Sequence, residues 1–209
     1  MLTIPKTQAR SVNPNITGST VSHPRSIPPG ELPPPPPSIF FGRDDLISRV
    51  IGLAENLDSL ALVGVGGIGK SSLALAVLHH DRIEARFGNH RRFIRCDKFP
   101  ASCSALLREL SKTIGANVEN PQDLTPLRPF LSSNKMLIVL DNAGSILDPQ
   151  VPDSQWIYGV AEELSRFKNI CLCATSRITI IPPDCERLGI PTLSVDAAHS
   201  AFYRVYGSN

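Results

Sequence analysis

The sequence predicts an α/β fold, a parallel sheet with helices on both faces, and three observations carry that prediction. From Ile39 onward, short apolar runs alternate with helical patterns. One run, Met136-Leu137-Ile138-Val139-Leu140, is continuously apolar, as in a strand covered on both sides. Another, Leu60-Ala61-Leu62-Val63, ends in a glycine cluster with a helical pattern behind it. Alternation of this kind builds a parallel sheet through crossover helices.

Taken in order, the chain opens on an arm. Of its 19 prolines, ten (Pro5, Pro14, Pro24, Pro28, Pro29 and Pro33 to Pro37) precede residue 39. Residues 1–38 therefore read as a disordered Pro-rich arm, with Pro33 to Pro37 a stiff polyproline II spacer. Pro5 and Pro14 would interrupt the amphipathic helix that an organelle-targeting peptide needs. The globular part is expected over residues 39–196. Leu60 to Val63 is its first strand, and Ser71 to Arg86 a helix with Leu73, Ala76, Val77 and Ile83 at helical spacing. Arg92 to Cys96 is a second strand. Ser102 to Ile114 is a helix whose Leu106, Leu110 and Ile114 form one stripe. Thr125-Pro126 reads as N-cap and first-turn proline of a helix through Leu131. Met136 to Leu140 is the third strand. Asp153 to Phe167 is a helix carrying Val160, Leu164 and Trp156, the last a core or interface anchor. Ile170 to Ala174 is the fourth strand and Thr192 to Val195 the fifth, with Asp196 capping a last helix over Ala197 to Tyr203.

Composition excludes several classes. A net charge of +2 over 209 residues gives no electrostatic footprint for nucleic acid or an anionic membrane. Five arginines, Arg82, Arg86, Arg91, Arg92 and Arg95, read as a solvated helix end and strand edge. The longest apolar run, Leu60 to Gly69, stops at Lys70 and is too short to span a bilayer. Cys96, Cys103, Cys171, Cys173 and Cys185 are odd in number and form no CxxC pair, which points to reduced thiols and a cytoplasmic protein. His79-His80 has no third ligand at zinc spacing.

The strongest chemical signal is Gly64-Val65-Gly66-Gly67-Ile68-Gly69-Lys70-Ser71, a G-x-x-x-x-G-K-[ST] between strand and helix. Consecutive backbone N–H groups of such a loop curl round a phosphate chain, and glycines permit the approach. The helix N-terminus adds its dipole. Lys70 can bridge β- and γ-phosphates, and the Ser71 hydroxyl can ligate Mg²⁺. Gly64, Gly66, Gly67, Ile68, Gly69, Lys70, Ser71 and Ser72 are thus candidate nucleotide contacts. Gly64, Gly66 and Gly69 also spell G-x-G-x-x-G. A dinucleotide site, however, wants an acid ending the second strand about 20 residues on. Glu84 sits in a helical pattern instead, and Asp97 lies 28 residues beyond Gly69.

Two further signals follow. Leu137-Ile138-Val139-Leu140-Asp141 is a buried strand ending in an acid that can hold Mg²⁺. Its neighbour Asn142 can orient a water but cannot take its proton, so turnover is expected to be slow. In Ala174-Thr175-Ser176-Arg177, Arg177 falls at a strand's C-terminal edge, where it can sense a γ-phosphate. Lys70, Asp141 and Arg177 are the candidate catalytic set, and Ser71 and Asp141 the candidate metal ligands.

With Phe40-Phe41-Gly42-Arg43 upstream and Leu140-Asp141-Asn142-Ala143 and Thr175-Ser176-Arg177 downstream, the sequence resembles the NB-ARC family of STAND-class P-loop ATPases over about Pro37 to Tyr206. The resemblance implies a P-loop three-layer sandwich of five parallel strands in the order 2-3-4-1-5, binding ATP or ADP with Mg²⁺. It implies that Pro37, Phe40, Phe41 and Arg43 pack on adenine. Plant versions carry an acid where Asn142 stands, and related sequences often a Glu where Gly144 stands. In the family a helical subdomain follows, so residues 197–209 are expected to begin a truncated one. Self-association and flanking signalling domains are the partners implied. The expected function is an ATP/ADP-binding signalling module, at most a slow Mg²⁺-dependent ATPase. The alternatives are a binding-only remnant of a longer protein and a small P-loop phosphotransferase.

Overall fold

The computed structural model describes residues 31–206 other than 39 and 117. Residues 1–30 of the arm expected over residues 1–38, and the last three residues of the expected subdomain, lie outside them. Residues 31–38 carry neither helix nor strand. Within that stretch the Pro34 carbonyl accepts a hydrogen bond from His79 Nε2 at 2.6 Å, and Glu31 lies 3.6 Å from Lys112.

Five strands, β1 (Leu60–Val63), β2 (Arg91–Arg95), β3 (Met136–Asp141), β4 (Ile170–Ser176) and β5 (Glu186–Gly189), form one parallel sheet in the order 2-3-4-1-5. Side chains alternate across a strand, so each central strand feeds two cores. Ile138, Leu140, Leu172 and Ala174 pack beneath α4 (Cys103–Ile114) and α7 (Ser154–Ser165). Leu137, Val139, Cys171 and Cys173 pack beneath α1 (Asp44–Asn56), α2 (Lys70–Leu78) and α3 (Asp81–Phe87). Every residue of β3 and β4 is buried. Each fully buried Leu or Ile there contributes about 1.5–3 kcal/mol, which is why a continuous apolar run ends in the middle of the sheet.

Several expected elements differ. The fifth strand is Glu186–Gly189, not Thr192 to Val195. It is an edge strand on β1 in which only Leu188 is buried, so it lacks the apolar run of a central strand. Thr192 to Ser194 instead lead into α8 (Val195–Tyr206), and the Ser194 hydroxyl, rather than Asp196, accepts from the Ala197 N–H at 3.2 Å. The single helix expected from Ser71 to Arg86 is broken at His79 and His80. His80 is extended, and its Nδ1 accepts from the Arg82 N–H to cap α3. Thr125 and Pro126 form a 3₁₀ turn leading into α5 (Arg128–Ser133); Thr125 caps no helix, and its N–H donates to Asp123 Oδ1 at 2.8 Å.

The arginine cluster is only partly solvated. Arg91 and Arg92 are 8% and 1% exposed. Arg91 pairs with Glu84 and donates to the Gly88 and Leu78 carbonyls, and Arg92 donates to Asn89 and Arg91 carbonyls. Trp156 is no core anchor: it is 73% exposed on α7, while Val160 and Leu164 of that helix are buried.

Candidate functional site

Parallel strands direct their C-terminal ends to one edge, and the loop between β1 and α2 lies there. Gly67 and Gly69 have φ of +75° and +97°, conformations that favour glycine. A Cβ on Gly66 would lie 3.2 Å from the Arg177 Cζ, so the absent side chain makes room for that guanidinium. Lys70 is 9% exposed, and its Nζ donates to the Gly64 and Val65 carbonyls at 2.8 and 2.9 Å. Burial first, and then the Arg177 charge, push the Lys70 ammonium below its ordinary pKa, while Asp141 pulls it back up. The Gly64 N–H donates to the Ser176 carbonyl at 3.2 Å, fixing the start of the loop to β4.

Asp141 ends β3 beside that loop and is 6% exposed. Its Oδ1 accepts from Ser71 Oγ at 2.6 Å and from Thr175 Oγ1 at 2.7 Å. Thr175 in turn accepts from the Asn142 N–H at 2.8 Å. The chain of bonds holds the carboxylate facing the loop. A hydroxyl and a carboxylate already within 2.6 Å are hard oxygen donors of the kind Mg²⁺ takes, so Ser71 and Asp141 fit that ion. Asn142 has φ +56°, which Asn tolerates better than most residues. Gly144 begins the short α6 (Gly144–Leu147), and a Cβ there would lie 2.9 Å from Ser176 Oγ. A side chain at 144 would first have to shift the Ser176 hydroxyl, which accepts from the Ile178 N–H.

These groups converge on a cavity of about 320 Å³, walled by Gly66, Gly67, Gly69, Lys70, Ser71, Ser72, Asp141, Asn142, Thr175 and Arg177. A second cavity, of about 450 Å³, shares Gly67, Gly69 and Ser72 with the first. Its other walls are Phe40, Phe41, Arg43, Ile68, Thr192, Leu193 and two alanines of α8, Ala198 and Ala201. Arg43 is 7% exposed, and its guanidinium donates to the Pro191 and Ile68 carbonyls at 2.9 Å each. It fastens the loop to the chain beyond β5. Pro37, half-buried, and Gly64 line neither cavity.

Sequence reasoning missed two groups. Arg95 and Asp97, at the end of β2, also wall the first cavity. The strand order alone could have found them, because every parallel strand delivers its last residues to this edge. The α8 wall was missed too. Gly42 has φ +64°, and a Cβ on it would lie 2.2 Å from Ala197 Cβ, so α8 sits directly on the segment Phe40 to Arg43.

The sequence model of the family described as Novel STAND NTPase 1 matches residues 36–179, more than half of the chain. No curated protein matches it. Among solved structures, the Walker-type ATPase PABY2304 of Pyrococcus abyssi is similar with a TM-score of 0.58 and 16% identity, over 85% of this chain and 61% of that one. The Aeropyrum pernix ORC1 protein, solved in complex with DNA, is similar with a TM-score of 0.60 and 16% identity, over 80% of this chain and 50% of that one. The chain thus spans about three-fifths and one-half of these two proteins, and at such identity the likeness is one of fold.

Proposed function

The chain belongs to the novel STAND NTPase 1 family, and from that premise we propose that it is the ATP/ADP-binding module of a STAND signalling NTPase that hydrolyses ATP slowly. The observation that carries this reading is the convergence of Lys70, Ser71, Asp141 and Arg177 on one cavity that adjoins a second one walled by Phe40 and Phe41. Backbone N–H groups from Gly66 to Ser72 wrap the phosphates, and Lys70 leaves its loop carbonyls for the β- and γ-oxygens. Ser71 and Asp141 would hold Mg²⁺, and the ion would supply neutralisation of phosphate charge there. Arg177 meets the γ-phosphate. Phe40 and Phe41 pack on adenine, and Arg43 serves the base by holding its wall together rather than by stacking.

The finer likeness to NB-ARC proteins belongs to this reading. So do a cytoplasmic location, self-association and flanking signalling domains. Neither Asn142 nor Gly144 carries a carboxylate next to the metal-binding Asp141, which supports slow turnover. Calorimetry with Mg²⁺-ATP and with ADP tests the reading. Both bind the wild type, and Asp141→Asn weakens Mg²⁺-ATP more than ADP, because its proposed task is the metal. Absence of binding by the wild type, or equal weakening of the two ligands, overturns it.

A further inference from the structure

The end of β2 brings a carboxylate to the cavity that the phosphate-loop motif does not account for. Arg95 stands in register with Asp141 on the neighbouring strand. Residues in register project to the same face of a sheet, here the face toward α2. The chain then makes a 3₁₀ turn over Cys96–Lys98, packed against β3 and α6. That turn returns Asp97 to the cavity wall, where its Oδ2 accepts from Arg95 at 3.1 Å. Cys96 itself turns into the core beneath α4, and its thiol is raised by burial first, then by the charges of Asp141 and Asp97.

Asp97 and Asp141 are the two carboxylates on this wall among the described residues. Asp141 is committed, with Oδ1 taken by Ser71 and Thr175. Asn142 has no carboxylate, and a side chain at Gly144 would collide with Ser176. A proton acceptor for an attacking water must therefore come from elsewhere on the wall.

We propose that Asp97 is the catalytic proton acceptor for ATP hydrolysis at this site, with Arg95 as the positioning residue that holds it in the cleft. The inference rests on the nucleotide-binding reading given above. In the step, the water oxygen forms a bond to Pγ while the bond from Pγ to the β,γ-bridging oxygen breaks. That electron pair leaves on ADP, and the water's proton passes to the Asp97 carboxylate and from there to solvent.

The test is single-turnover hydrolysis of Mg²⁺-ATP, with ATP and ADP affinities measured calorimetrically on the same proteins. Asp97→Asn lowers the rate at least about 10²-fold and leaves both affinities unchanged, which also shows that the variant is folded. Arg95→Ala lowers the rate by less, again without moving affinity, and adds nothing to Asp97→Asn in the double variant, as coupled residues should. A wild-type rate in Asp97→Asn with ATP still bound overturns the assignment. So does a loss of affinity that accounts for the lost rate, additive effects of the two substitutions, or a wild type that binds ATP without measurable hydrolysis. A wild type that binds no nucleotide fails the underlying reading, and this inference with it.

Discussion

Gly66 to Ser72 form one end of the cleft as a single stretch of chain, tied back by Lys70 to the Gly64 and Val65 carbonyls and to β4 by the Gly64 N–H. The other end joins Phe40–Arg43 to Pro191 and α8, segments 148 residues apart at the Arg43–Pro191 bond. The loop end takes its shape from local dihedrals at Gly67 and Gly69 and from the strand edge beneath it. The α8 end depends on one buried guanidinium and one close backbone approach. The contrast separates two jobs. On the proposed reading, the loop end grips an anion with little help from distant chain, whereas the α8 end discriminates among bases only while its distant parts stay docked.

Substitutions can break or sharpen this contrast. The largest effect is expected at the loop end. Lys70→Ala removes a charge-assisted contact of about 1.5–3 kcal/mol, weakening ATP by about 10- to 150-fold in calorimetry. Equal affinities would refute the loop's role. Next comes Gly42→Ala, which places a Cβ into Ala197 at a φ of +64°. A non-glycine residue held there costs about 1–3 kcal/mol, so denaturant unfolding should register that loss. The preference for ATP over GTP should shrink while triphosphate binding as such persists. Arg43→Lys is smaller. An ammonium cannot reproduce the planar fork that reaches Pro191 and Ile68 together, and losing one bond costs about 0.5–1.5 kcal/mol. Here, too, base preference should fall more than overall affinity, and a uniform drop would contradict the division of labour. Asn142→Asp should do least. Its φ of +56° suits Asp as well as Asn, and single-turnover hydrolysis should rise, but by less than the 10²-fold or so that a sole general base supplies.

The same contrast explains what could be read from the sequence. β1, β3 and β4 were legible because burial on both faces demands uninterrupted apolar runs. The loop was legible because its chemistry needs glycines at fixed spacing. β5 was not, since an edge strand with Leu188 as its one buried residue leaves no periodic trace. The break between α2 and α3 was hidden because Leu73, Val77 and Ile83 keep a helical rhythm across His79 and His80, and all three are buried in one core. α1 packs Val50, Ile51 and Ala54 into the same core and carries no motif to mark it. Asp97 carried no motif. Its place follows from β2 lying next to β3, a tertiary fact.

The position of Ala198 and Ala201 has a mechanical reading. They are at once part of the wall of the second cavity and part of one face of α8, whose Ala197 rests on Gly42. A ligand filling that cavity therefore bears on the helix and raises the work needed to lift it. Linkage is reciprocal: a force or a partner that draws α8 away from Gly42 must loosen the ligand by the same free energy with which the ligand resists. In that sense α8 is a pawl, able to report from outside whether the cleft is loaded and to unload it from outside when pulled.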